Sequence, residues 1–141
     1  MPGSKKPRKP MRHRPAAIPI MIRTGVDEER NFKLIPHQEL DLLRRGEGNE
    51  VSFHTLACRV NWGAVMATRH PWSEDPKPAM RDALDALRML KDRSQARGKW
   101  LATGDELRAI GEALTIVDDM QDATTRRHHR DALRVVLQMA T

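Results

Sequence analysis

Tyrosine is absent from this chain of 141 residues, phenylalanine occurs twice and cysteine once. With Cys58 as the only thiol no intramolecular disulfide can form, and nothing in the cysteine usage points to an oxidising compartment. Long apolar runs are missing too. The stretch "AAIPIMI" is seven residues, carries Pro19 and is followed by "RTG" rather than by a small-residue cleavage site, so neither an export signal nor a membrane span is expected. Cytoplasm is the default expectation. No glycine-rich phosphate loop, GxSxG elbow, CxxC or HExxH pattern occurs, which removes the enzyme classes that short motifs reveal. The expectation is a protein that is not an enzyme and holds no cofactor and no metal.

What is present is positive charge in one place. Lys5, Lys6, Arg8, Lys9, Arg12, Arg14 and Arg23 fall within residues 1 to 25, which contain no acid, while the other 116 residues hold 18 basic and 19 acidic side chains. The chain therefore reads as a nearly neutral body, residues 26 to 141, carrying a cationic arm, residues 1 to 25. Prolines at 2, 7, 10, 15 and 19 remove backbone donors and bias their predecessors to extended geometry, so the arm is expected to be extended and disordered. Ile18, Ile20 and Ile22 alternate as a short strand would, or form a structureless apolar patch.

The body has helical periodicity throughout, and its expected fold is an all-α, compact bundle of four or five helices. A first helix is expected to start at Pro36, where a missing N–H is harmless, and to place Leu40, Leu43 and Arg44 on one face before "GEGN" ends it. Asn49 is a plausible N-cap for a second, with Phe53, Leu56, Ala57, Val60, Ala64 and Ala67 at helical spacing. After the linker "HPWSEDPKP", Met80, Ala83, Leu84, Leu87 and Leu90 repeat by three and four until Gly98 closes the third helix. Thr103 and Glu106 form a capping box ahead of Leu107, Ile110, Leu114 and Val117. From Asp105 onward there is no proline, and a break near residue 123 would set Asp118, Asp119 and Asp122 at a helix C-terminus and Arg126, Arg127 and Arg130 at an N-terminus, both against the macrodipole. The expectation is a continuous or kinked helix ending in Leu133, Val136, Leu137 and Ala140.

Candidate chemistry is thin. His54 and Cys58 are four residues apart on one helix, but no further ligand pattern accompanies them, so Cys58 reads as a small buried apolar residue. His128 and His129 point about 100° apart and belong with a solvated basic face. Asp118, Asp119 and Asp122 likewise read as a solvated acidic face. Trp100, between the third and fourth helices, is expected to plug their junction. Trp72, in a linker near Arg69 and Lys77, is a candidate for stacking a base or anchoring a partner, and Arg126, Arg127 and Arg130 form a second candidate contact face. The arm residues Lys5, Lys6, Arg8, Lys9, Arg12 and Arg14 are the primary candidates for nucleic-acid contact: cations spaced by prolines can follow a phosphate backbone but carry no code for reading bases.

Two segments, "EVSFHTLACRVNWGAVMA" and "GKWLATGDELRAIGEALTIVDDMQDATTRR", resemble a group of small uncharacterised proteins encoded by phages and prophages of proteobacteria. The resemblance rests on His54, Thr55, Ala57, Arg59 and Asn61, and on Lys99, Trp100, Ala102, Thr103, Gly104, Asp105, Glu106 and Leu107. It implies a phage accessory protein acting in a bacterial cytoplasm on macromolecules of host or phage. Two partners are expected from it and from the charge: DNA or RNA held without sequence preference in a salt-dependent way, or a host protein of defence or transcription that the chain inhibits or modulates.

Overall fold

A computed structural model of the chain describes residues 28–139; the arm, with Ile18, Ile20 and Ile22, lies outside the described residues. Five helices follow one another, α1 Glu28–Arg44, α2 Glu50–Arg69, α3 Lys77–Arg97, α4 Gly104–Asp122 and α5 Arg126–Met139. No strand occurs among the described residues, and the fold is all-α.

Local chemistry sets most of the boundaries. The Asn49 side-chain oxygen accepts from the Ser52 N–H at 3.2 Å while Ser52 Oγ accepts from the Asn49 N–H at 3.2 Å, a reciprocal cap that opens α2. Ser52 Oγ also donates to Glu39 at 2.7 Å, which fastens this corner to α1. Thr103 and Glu106 make the corresponding box at α4, at 3.2 and 2.9 Å. Gly98 ends α3 in the left-handed conformation, φ 74°, and its N–H donates to the Ser94 carbonyl at 2.7 Å. Pro76 and Pro78 stand at the other end of α3, where proline is tolerated.

α2 is the central helix. It packs against each of the other four, and α4 packs against α1 and α3 as well. Eleven of its residues are buried, among them Phe53, Leu56, Val60, Trp62, Met66 and Ala67. The core is closed by Phe32, Leu40 and Leu43 of α1, Met80, Ala83, Leu87 and Leu90 of α3, Ile110, Leu114 and Val117 of α4, and Leu133 and Val136 of α5. At Gly63 side chains of α3 and α4 pack so closely on α2 that an added Cβ would lie 2.5 Å from Val117 Cγ2 and 2.7 Å from Met80 Sδ.

Two expected boundaries are corrected. Pro36 does not open α1 but lies inside it. An internal proline forfeits one helical hydrogen bond and costs about 3 kcal/mol. The turn ahead of it is retained by tertiary contacts: Phe32 is fully buried with its ring 5.7 Å from that of Trp62, and Lys33 pairs with Asp122 at 2.8 Å. Residues 103 to 140 are not one helix either, because the chain turns at 123–125 between α4 and α5. Charges facing a helix dipole the wrong way cost about 0.3–1 kcal/mol each. The turn lets α5 lay His129, Ala132, Leu133 and Val136 against the core, at roughly 1.5–3 kcal/mol for each large apolar side chain, so burial wins. Thr125 Oγ1 accepts the His128 N–H at 3.3 Å at the new start.

Candidate nucleic-acid interface

Turning α5 back onto α2 separates its two faces. His129, Ala132, Leu133 and Val136 are buried, while Arg126, Arg127, Arg130 and Arg134 are exposed. At about 100° per residue, Arg127, Arg130 and Arg134 fall within roughly 60° of one another and span about 10 Å along the axis. Asp131 is the only acid on this helix, and it lies 3.6 Å from Arg134. Arg127 and Arg130 have no ion-pair partner among the described residues. Of the predicted contact residues, α5 thus brings Arg126, Arg127 and Arg130 to one surface. It adds Arg134, whose spacing from Arg127 and Arg130 was the available signal.

Trp72 is elsewhere and partly buried. Its indole N–H donates to the Met66 carbonyl at 3.0 Å and its ring packs against the core edge, 6.3 Å from the ring of His70. That leaves less of the ring for a partner than full exposure would. His70 in turn lies 4.5 Å, ring to ring, from His128, joining the end of α2 to the first turn of α5. The arm cations Lys5, Lys6, Arg8, Lys9, Arg12 and Arg14 lie outside the described residues.

The acidic cluster expected to be solvated is so at Asp119 and Asp122, while Asp118 is half-buried and two of the three acids reach across to other helices. Arg59 has no solvent exposure; its Nη2 donates to Asp118 Oδ1 at 2.8 Å, and His37 Nε2 lies 2.7 Å from the other oxygen of the same carboxylate. The guanidinium sits over the rings of Phe32, at 4.6 Å, and Trp62, at 5.1 Å. Burial pulls its pKa down to about 10 against the opposing hydrogen bond from Asp118, and Nε and Nη1 find no hydrogen-bond partner. One turn on, the hydrogen bond to Asp122 raises the pKa of Lys33. Asp119 and Asp122 are exposed, and Asp118 is the half-buried member of the three. Sequence reading passed over Arg59 as a site, although Ser52, Thr55, Arg59, Trp62 and Met66 recur by three and four and are all buried. A charged residue in such a stripe reads as surface unless its partner is seen.

Three further readings change or gain detail. His129 does not belong to a solvated face: it is buried, with its ring 4.8 Å from Phe32 and 5.1 Å from Trp62, and its carbonyl accepts the Trp62 indole N–H at 3.0 Å. Trp62, fully buried, is therefore the central plug, whereas Trp100 is partly buried with its ring 5.5 Å from that of Phe53. Cys58 is buried, and burial pushes its thiol up to about 12, while His54 turns to Glu50 at 3.2 Å. No group of three or more His, Cys, Asp or Glu side chains able to hold a metal occurs among the described residues. No helix of the described residues is long and apolar enough to cross a membrane. No family model, curated protein or solved structure matches the chain.

Proposed function

We propose that the protein is a non-enzymatic accessory protein of a phage or prophage, acting in the bacterial cytoplasm, that contacts nucleic acid through its cationic arm and the arginine face of α5. The observation that carries this reading is the exposed row Arg127, Arg130 and Arg134 beside Arg126, opposed on its helix by Asp131 alone. Guanidinium groups bind phosphate through charge-assisted hydrogen bonds, and a row of them on a helix holds a backbone without specifying a sequence. Binding by the full chain to a labelled DNA should weaken with salt, and four to six arm contacts alone would give a slope of log K against log salt of about −4 to −5. Replacing the six arm cations Lys5, Lys6, Arg8, Lys9, Arg12 and Arg14 by Gln, or Arg127, Arg130 and Arg134 by Gln, should each flatten that slope without lowering the melting temperature. A full chain with no salt-sensitive binding to DNA or RNA overturns the reading. The second reading, inhibition or modulation of a host protein, then leads; it is favoured by the exposed apolar side chains of Met89 and Leu101, 56% and 52% accessible.

A further inference from the structure

α2 and α3 leave a groove of about 380 Å³ between them, lined by Ala64 and Thr68 on one side and by Lys77, Arg81, Leu84 and Arg88 among others on the opposite side. Its lining residues follow helical spacing on both walls. Ala57, Asn61, Ala64 and Thr68 recur by four, three and four along the half-buried edge of α2, and Lys77, Arg81, Leu84, Arg88 and Lys91 recur by four, three, four and three along α3. The four cations are exposed. Lys91 lies 5.7 Å from the ring of Phe53 near the start of α2, while Lys77 lines the groove beside Thr68 near its end, so the two helices run antiparallel, and the lining cations Lys77, Arg81 and Arg88 follow the groove for about 17 Å. α2 contributes no acid after Glu50. The one carboxylate in the lining, Asp85, accepts from Arg88 Nη2 at 2.6 Å and holds it on the rim.

We infer that this groove is a track for one phosphodiester strand of nucleic acid, which extends the contact from the arm and α5 to the folded body. The inference rests on the proposed function and names a second site for it. Three features favour a polyanion over an acidic amphipathic helix. Helix docking uses several apolar anchor pockets in register; here the small residues Ala64 and Thr68 form one wall, Met80 is 1% exposed, and Leu84 is the one large apolar side chain left half-open. The lining contains no aromatic ring, so bases find no stacking platform and the contact is to the backbone. The cations also occupy a single row, matching one strand, whether free or as one edge of a duplex.

The test uses the full chain and two labelled probes, a 20-nucleotide single strand and a 20-base-pair duplex, titrated across KCl. The variant K77Q/R81Q/R88Q is compared with R44Q/R45Q/R108Q, which removes the same charge from exposed positions on α1, its following turn and α4. The groove variant should bind about tenfold or more weakly at low salt, with the slope reduced by about 2 on the single strand or about 3 on the duplex. The control should retain nearly the full slope, and K77R/R81K/R88K should restore binding. The probe with the larger groove-dependent loss identifies the source of the strand. Groove and control variants that behave alike overturn the track while leaving the proposed function standing. Absence of binding by the unmodified chain to both probes overturns both. Groove-dependent binding of a 20-residue polyglutamate as tight as that of the oligonucleotides overturns the assignment to nucleic acid.

Discussion

Arg59 is a cation without solvent exposure, answered by one carboxylate that is itself only 22% exposed. Removing one member of a buried pair leaves the other charged and unpaired, which costs more than replacing the cation with an apolar chain of similar length. Asp118→Ala is therefore expected to destabilise the fold by about 3 kcal/mol in urea denaturation, because Arg59 Nη2 then joins Nε and Nη1 without a partner. Arg59→Met should cost less, since its thioether still fills the space between Phe32 and Trp62, and adding Asp118→Ala to that background should cost little more. Equal losses for Asp118→Ala in both backgrounds would show that the pair is not coupled. The residue was named within a resembling segment, yet neither its burial nor its partner, 59 positions away, is a local property.

The helices differ in how closely they are held, and two glycines measure it. Gly63, in the middle of α2, faces Val117 and Met80 at distances that leave no room for a methyl group. Gly111, in α4, would place a Cβ 3.6 Å from Leu40 Cδ2, an ordinary contact. Gly63→Ala should thus lower stability by about 1–3 kcal/mol through overpacking. Gly111→Ala should raise it by up to about 1 kcal/mol, the helix-propensity gain of alanine over glycine. Thermal or urea unfolding of the two variants should give opposite signs, and a neutral Gly63→Ala would mean that α2 does not approach α3 and α4 as closely as the structure has it. The capped starts of α2 and α4 and the glycine stops of α1 and α3, at Gly46 and Gly98, were legible because each depends on residues within a few positions of one another. The start of α1 and the turn before α5 were not, because burial of Phe32 and of the α5 face outweighs the local preferences of Pro36 and of the helix dipole.

At the level of the whole molecule, charge is sorted by helix. α4 presents Asp105, Glu106, Glu112, Asp118, Asp119 and Asp122 against one arginine, Arg108, while α5 presents four arginines against Asp131. Several of the α4 carboxylates are turned to internal partners, Asp118 to Arg59, Asp122 to Lys33 and Glu106 to Arg93. The nearly neutral body read from composition is thus polarised, which composition cannot report. The core is closed by apolar side chains of all five helices, with Cys58 among them rather than facing His54. EDTA is therefore expected to leave the melting temperature unchanged. A fall of several degrees would show a metal-dependent fold and would return Cys58 and His54 to consideration as ligands.

The sequence by itself determined the helical class, four of the helix termini, the apolar stripes of α2 to α4 and the concentration of cations in the first 25 residues. All of these follow from short-range rules: helical spacing, reciprocal caps, the left-handed tolerance of glycine at Gly98, and simple counting of charge. Tertiary structure alone decided that Arg59, His129 and Trp62 lie together inside and that Asp118 and Asp122 pair with Arg59 and Lys33. A charged residue in an amphipathic stripe is equally consistent with a solvated edge and a buried pair until its partner is placed. For Arg59 and Asp118 that placement depends on the turns at 70–76 and 98–103 that bring α4 back onto α2, whose direction is set by which apolar faces meet.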